Sequence, residues 1–449
     1  MKARALFCVL ALTALSVGAA TSSVAQESAA DSRAGDEAQV QDPNPRAAEQ
    51  PNRPRRFEPC VRGMAGRFPC HRVDLLSFFR MEEIGGSTEV GQGRGSDVWG
   101  WKDPQTGSEY VLAGRENGTA IVDITDPLRP VYLANLPTSA IDNRIWRDIK
   151  VYANHAFIVS ESFLHGMQVL DLTRLRDIDP AEAPVTLDED ALYKEFETAH
   201  NIVINEDSGF AYAVGTRNAD RSLNCEGGLH MIDIRDPLNP RFAGCFEDEG
   251  YIHDAHCVIY HGADTRYTGR EICVASSPHT HEGNAVSIVD VTDKTEPELV
   301  GRATYAPFSA FSHQGWLTED HRYYLHGDEG DELSFGHNTR TYTFDMADLT
   351  APTLIDFYES SEPATDHNMY VKKRHLYQSN YRAGLRVLDL RNVADGQLGE
   401  VGFFDVYPPN NDPGFGFGSW SNYPFFDRGV VAVHGYQGLW LVRPRVGPR

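Results

Sequence analysis

The chain is poor in sulfur. Of 449 residues seven are Cys and seven are Met, and no two cysteines stand in a C-x-x-C arrangement. That argues against a zinc ribbon or a thiol-redox site. It is also short of positive charge, with 41 Lys and Arg against 64 Asp and Glu and a formal net charge of −23. Such a surface repels nucleic acid and anionic lipid, so neither is an expected partner. G-x-S-x-G, S-x-x-K and H-E-x-x-H are all absent, which removes the common nucleophile and zinc-protease signatures. Beyond the first twenty residues no apolar run is long enough to span a bilayer.

What is present begins with the N-terminus, "MKARALFCVLALTALSVGAATSSVAQES". A basic start, an apolar stretch over 5–20 and the small-x-small run Ser23-Val24-Ala25 predict a signal peptide over 1–25. Losing Lys2 and Arg4 with it takes the charge to −25. No transmembrane helix is expected after cleavage, and the mature chain is expected to be secreted, periplasmic or surface-associated. Residues 26–58, rich in Ala, Gln, Asp, Glu, Pro and Arg, read as a disordered tether. The remaining six cysteines, Cys60, Cys70, Cys225, Cys245, Cys257 and Cys273, suit disulfides in an exported protein. Sequence order favours the local pairs 60–70, 225–245 and 257–273, out of fifteen connectivities that six cysteines allow.

From Cys60 onward, 41% hydrophobic and 10% aromatic content across the chain suits a folded globule, and the dominant signal is a repeat. "GTAIVDITDPLRPVYLANL" at 118–136 returns as "GGLHMIDIRDPLNPRFAGCF" at 227–246 and "NAVSIVDVTDKTEPELVGRA" at 284–303, with further copies near 165, 339 and 383. Each is an apolar run ending in Asp (Asp123, Asp171, Asp233, Asp290, Asp345, Asp389), then a turn, then a second strand. Two more strands precede each copy. Four short strands every roughly 45–60 residues is the pattern of a β-propeller blade. Seven inner-strand starts fall near Asp97, Asp148, His200, His256, His313, His367 and Ser421, at steps of 51 to 57 residues. The expected fold is therefore all-β: one seven-bladed propeller over 60–444, with an N-terminal strand at about 70–79 completing the last blade.

The Val/Leu-Asp strand and turn resemble the LVIVD repeat. Longer phrases, "DVWGWKDPQTGSEYVLAG" (97–114), "WRDIKVYANHAFIVSE" (146–161), "AHNIVIN" (199–205), "HQGWLTED" (313–320), "DHNMYV" (366–371) and "SNYRAGLRVLDL" (379–390), resemble the choice-of-anchor B family of exported proteins. The resemblance covers roughly 60–444. It implies an exported propeller and carries no established biochemical activity.

Four phrases then place a His at the head of a strand: "TAHNIVIN" (198–205), "DAHCVIY" (254–260), "FSHQGWL" (311–317) and "TDHNMYV" (365–371). Inner strands of a propeller surround one channel, so His200, His256, His313 and His367 are expected to share an axial space. Imidazoles so gathered suit Zn, Cu or Fe. Asp97 and Asp148 take the same phase on the first two blades, as outer-shell acceptors or carboxylate ligands, and His253 with Asp254 forms a second polar pair at the mouth. The arrangement resembles the four-His iron centre of carotenoid-cleaving propellers and the His-rich site of selenium-binding-type propellers, by fold-level analogy. The competing reading makes these histidines braces, hydrogen-bonded between strand mouths. A weaker candidate is "HGDEGDELSFGH" (326–337), where Asp328, Glu329, Asp331 and Glu332 offer oxygen ligands for calcium. His279 and His281 share one loop, and "GFGFGSW" (414–420) reads as a loop lining one face. The sequence expectation is a binding module with a His-lined channel, taking an extracellular protein, glycan or small molecule. The alternatives are an oxidase- or oxygenase-like metalloenzyme and a purely structural envelope protein.

Overall fold

The computed structural model describes residues 57–446 apart from 282, 306 and 308. The expected signal peptide, and the expected tether up to residue 56, lie outside the described residues. Glu58, assigned to the tether by composition, pairs its backbone with Leu75 in both directions, at 2.9 and 3.0 Å.

Seven sheets follow one another along the chain, each with an antiparallel four-stranded blade built inner to outer, and Val185–Thr186 adds parallel to the outer strand of blade one. Blade three is the plainest: Asn201–Asn205, Phe210–Val214, Leu229–Asp233 and Arg241–Phe246. Blades one and two start at Gly95–Lys102 and Arg147–Tyr152. Blades four to six start at Asp254–Ile259, Ser312–Leu317 and Met369–Lys372, and blade seven at Ser421–Tyr423. The blade-four strand therefore opens at Asp254, not His256. Among the described residues, no helix is long and apolar enough to cross a membrane.

The repeated Asp has a local cause. In six blades its carboxylate accepts the backbone N–H two residues on: Thr125 to Asp123 at 2.8 Å, Thr173 to Asp171 at 2.9 Å, Arg235 to Asp233 at 3.1 Å, Thr292 to Asp290 at 3.0 Å, Ala347 to Asp345 at 2.8 Å and Arg391 to Asp389 at 2.9 Å. Each is an Asx-turn, which reverses the chain by supplying an acceptor to an N–H leaving the ladder. Beside five of these aspartates the register between third and fourth strands slips, as at Met231/Ile232 and Ile288/Val289. Such bulges sharpen the local twist that blade packing uses.

Between neighbouring blades lie the apolar cores. Tyr212, Val214, Leu229 and Met231 of blade three pack on Ala255, Cys257, Cys273 and Val289 of blade four. The ring closes as expected in kind and shifted in bounds. Val73–Arg80 pairs antiparallel with Gly438–Pro444 and supplies the fourth strand of blade seven. The expected strand at 70–79 is in fact two, because Phe68–His71 turns aside to extend blade six against Gln397–Phe404. The three disulfides are Cys60–Cys70, Cys225–Cys245 and Cys257–Cys273. The last joins directly opposed residues of adjacent strands.

Candidate metal centre at the channel mouth

Four imidazoles form an arc at the inner-strand mouths. They are His200, His253, His313 and His367, with successive ring centroids 4.2, 4.4 and 4.3 Å apart. His200 and His253 each stand one residue before an inner strand, His313 is the second residue of its strand, and His367 stands two residues before its own. The structure thus brings three of the four expected residues together and replaces His256 by His253. His256 lies three residues further along, its ring stacked on Trp316 at 3.8 Å and its Nδ1 accepting from the Leu317 N–H at 3.2 Å. It belongs to an aromatic layer deeper in the channel.

Three of the four rings are oriented by acceptors. His253 Nδ1 is 3.0 Å from the His313 carbonyl, and His367 Nδ1 is 2.6 Å from the Trp420 carbonyl. A carbonyl only accepts, so each Nδ1 carries the proton and each Nε2 keeps its lone pair. His200 Nδ1 stands 2.5 Å from Glu161 Oε1 and follows the same logic through a carboxylate. Glu329 closes the arc. Its Oε2 is 3.6 Å from His313 Nε2 and its Oε1 is 3.8 Å from His367 Nε2, while the Tyr381 hydroxyl donates to Oε1 at 2.7 Å. His253, His313 and Glu329 offer one ligand atom each, all within 4.8 Å of one another. His313 Nδ1 is buried with no hydrogen-bond partner.

Burial sets the charge states. It holds His253 and His313 well below the ordinary imidazole range, with neighbouring imidazoles adding to the effect, and pushes His367 down to about 3. For His200 burial works the same way, but the Glu161 hydrogen bond and charge outweigh it and raise the group. Glu329 is pushed up to about 7 by burial. Three rings are thus neutral at neutral pH, the form in which imidazole binds a metal.

Glu161 and Glu329 occupy one structural position, directly after the second strand of their blades. Glu161 N–H donates to Trp146 O at 3.1 Å and Glu329 N–H to Phe311 O at 3.0 Å, the residue before the inner strand in each case. Sequence reasoning missed Glu161 altogether and gave Glu329 to calcium. The available signal was this shared phase: "IVSE" and "LHGDE" end equivalent strands.

The expected carboxylates Asp97 and Asp148 lie below the arc and face the blade interfaces. Asp97 accepts the Ile149 N–H at 3.2 Å and Asp148 the Ile202 N–H at 2.7 Å, each tying its blade to the next. Between them sits Lys150, 2.6 Å from Asp148 and 3.6 Å from Asp97, with its ammonium 4.6 Å from the Trp99 ring. Asp254 accepts from Asn201 Nδ2 at 3.2 Å, and burial pushes it up to about 7. These groups form a second polar layer. The groups that orient the imidazoles are Glu161 and two backbone carbonyls.

The expected calcium residues separate. Asp328 is saturated by the Tyr305 hydroxyl at 2.7 Å and the N–H groups of Ala310 and Phe311 at 2.9 and 2.8 Å. Glu329 faces the imidazoles. Asp331 and Glu332 turn into the protein on the short helix Asp331–Phe335.

Above the arc the mouth is aromatic. Phe311 packs on His253 at 5.0 Å, and Trp420 and Tyr381 each pack on His367 at 4.8 Å. Phe415, from the Gly-rich loop, meets Tyr381 edge-on at 6.3 Å. Gly418 is what lets that loop lie so close: its φ is +95° and a Cβ there would collide with the Tyr381 carbonyl. His279 lies beside Tyr251 and Phe311 at 6.1 and 5.7 Å, on the rim.

No family model and no curated protein matches the chain. Among solved structures it is similar to the Cps50 (Swd1) β-propeller domain of Myceliophteria thermophila, at 12% identity and TM-score 0.47, over 78% of this chain and 97% of that one. It is also similar to hydrazine synthase of Kuenenia stuttgartiensis, at 13% and 0.46, over 75% and 93%. The computationally designed Ika8 protein matches at 9% and 0.46, over 83% and 93%. The seven-bladed assignment rests on the strand pairing itself, and by that pairing the chain is a seven-bladed β-propeller.

Proposed function

We propose that this chain is an exported, ligand-binding propeller of the choice-of-anchor B type, and that its channel ligand is a transition metal ion. One observation carries the reading: His253 and His367 each have Nδ1 engaged by a backbone carbonyl, which leaves the Nε2 lone pair available, and Glu329 closes the arc beside His313 and His367. A brace needs its imidazole bonded on the structural side only. His313 and His367 Nε2 stand 3.6 and 3.8 Å from the partly buried Glu329, and neutral imidazoles beside a carboxylate are what a borderline metal recognises. His253, His313 and Glu329 would hold the ion, with His200 and His367 flanking it. Zn, Fe and Cu all suit this donor set. The aromatic mouth would then select a small, largely apolar molecule.

Elemental analysis of the purified chain tests this. About one transition metal per chain is expected in the wild type, and loss of it in a His253→Ala, His313→Ala double variant that keeps its β-sheet circular dichroism. Metal-free wild type that cannot be loaded with zinc, iron or copper would make the histidines braces. A second reading has its own support. Two imidazoles and one carboxylate on one ion is the donor pattern of non-haem iron oxygenases. Dioxygen uptake by Fe(II)-loaded protein with ascorbate as reductant, absent in the double variant, would favour it. Loaded protein with no uptake would leave binding alone.

A further inference from the structure

We propose that the turn Cys225-Glu226-Gly227, held by the Cys225–Cys245 disulfide, positions the His200 and His253 rings, and that reduction of this disulfide by a dithiol loosens the arc's grip on metal. The regulation rests on the metal reading above; the positioning does not. Three successive residues of the turn are left-handed, with φ of +49°, +49° and +78°. Glycine takes that backbone freely, but Cys225 and Glu226 carry a Cβ and are strained in it. Such a turn persists only where its surroundings hold it. The tie here is the bond to Cys245 on the strand Arg241–Phe246. The Gly227 carbonyl passes the turn's position on. It accepts the Gly215 N–H at 3.1 Å and the Ile252 N–H at 3.0 Å. Gly215 lies against His200, where a Cβ on it would stand 2.8 Å from the His200 Cβ. Ile252 directly precedes His253. One carbonyl thus sets the backbone behind two rings whose centroids are 4.2 Å apart.

The surroundings of the disulfide suit exchange. Cys245 is half-buried and Cys225 buried, so attack falls on the Cys245 sulfur and Cys225 leaves. His230 Nδ1 stands 3.6 Å from the Cys225 sulfur. Asn224 Nδ2 donates to the Glu195 carbonyl and to Asn218 Oδ1, so it is Asn224 Oδ1 that faces Nδ1, at 2.7 Å. Nδ1 therefore carries the proton, and Nε2 accepts from the Tyr193 hydroxyl at 2.8 Å. That N–H lies beside the thiolate departing from Cys225. The first thiolate of the dithiol bonds to Cys245, the S–S bond breaks, and its electron pair goes to Cys225. The second sulfur of the dithiol then displaces Cys245 from the mixed disulfide. The dithiol ends as a disulfide, and its two protons end on Cys225 and Cys245. Untied, Cys225 and Glu226 relax out of the left-handed region and carry the Gly227 carbonyl away from Gly215 and Ile252.

The test compares the full chain with a Cys225→Ser, Cys245→Ser variant, since free thiols would bind zinc themselves. Zinc affinity is read by competition against a chelator, and amide hydrogen exchange in the peptides carrying Gly215 and Ile252. With its β-sheet circular dichroism unchanged, the variant is expected to bind zinc about 10-fold more weakly, the lower end of what losing a ligand-orienting group costs. Its Gly215 and Ile252 amides should exchange faster. A Cys60→Ser, Cys70→Ser variant, altered on the strand that extends blade six, should do neither. Adding Glu226→Gly to the first variant should restore most of the affinity, because glycine holds a left-handed turn untied. A disulfide that only adds stability would give no such rescue. Should the first variant fail to fold, exchange in the wild type before and after dithiothreitol makes the same comparison. Unchanged exchange at both amides would overturn the positioning. Unchanged zinc affinity in the first variant would overturn the regulation and leave the metal centre standing. Wild type that binds no metal would end the metal reading and the regulation together, while faster exchange would still uphold the positioning.

Discussion

Glu161 reaches from blade two to the His200 ring on blade three and holds its Nδ1 at 2.5 Å. A carboxylate in that place orients the ring, which stands 4.2 Å from that of the proposed ligand His253. Glu161→Ala is therefore expected to weaken metal binding, by less than the roughly 10–100-fold that losing a ligand's own hydrogen-bond partner costs. Glu161→Gln keeps an acceptor without the charge and should fall between. Competition against a chelator of known affinity reads both, and equal affinity in all three proteins would remove His200 from the site.

His253 and His256 stand three residues apart and should fail in opposite ways. His253→Ala is expected to lose metal and keep its fold. His256→Ala is expected to keep metal and lose stability, because it abandons a ring stacked on Trp316 and strands the Leu317 N–H. The stack is worth about 0.5–1.5 kcal/mol and the orphaned donor about 1–3 kcal/mol, so a loss of about 2–4 kcal/mol should appear in denaturant melts. Metal loss in the second variant with stability unchanged would reverse the assignment.

Acid should find His256 too. Burial pushes it down to about 3, with the nearby His321 contributing, against about 6.5 in an unfolded chain. A depressed imidazole is neutral in the fold, so its contribution is complete above pH 6.5 and fades as pH falls from there towards 3. The slope is about 1.4 kcal/mol per pH unit for one proton. Asp328 and Asp405, each pushed up to about 6 by burial, work in the other sense, losing stability as pH rises from about 4 to 6. The total profile mixes both, so the informative quantity is the difference between wild type and His256→Gln. It should shrink steadily below pH 6.5. A difference independent of pH between 6.5 and 4 would show that His256 titrates normally.

The blade count is legible because each blade repeats its own turn chemistry: an Asp closing the third strand reads as an Asx-turn from local sequence alone. The blade-four register is harder, because "DAHCVIY" imitates "TAHNIVI" three positions out of phase. The better guide is the polar residue after each mouth position. Asn201, Asp254, Gln314 and Asn368 follow His200, His253, His313 and His367, and Asp97, Asp148 and Asn422 hold that place elsewhere. That alignment moves Asp97 and Asp148 out of phase with the imidazoles and puts His253 in. Glu161 and Glu329 can be matched to each other by strand phase but not to the imidazoles, because each meets a ring brought near only when blades pack side by side.

Closure of the ring rests on one further pair. Trp440, 1% exposed on the last strand, stacks on Phe78 of Val73–Arg80 at 4.8 Å, and Phe68 meets it edge-on at 6.3 Å. Two chain ends far apart in sequence thus make one core, and the pairing of Val73–Arg80 with Gly438–Pro444 depends on it. Trp440→Ala is expected to cost about 3–5 kcal/mol, as for other large aromatic truncations in packed cores. Phe78→Ala should cost nearly as much, and the double variant less than the sum by about 0.5–1.5 kcal/mol, the worth of the ring pair itself. Loss of the N-terminal strand goes further, because it bares the outer edge of Gly438–Pro444 to pairing with another chain. A chain starting after Arg80 should therefore elute as oligomers in size-exclusion chromatography, where the full chain's last blade has no free edge at that strand. Strict additivity in the double variant, with a monomeric truncated chain, would mean that blade seven holds its own three strands and that the N-terminal strand only covers it.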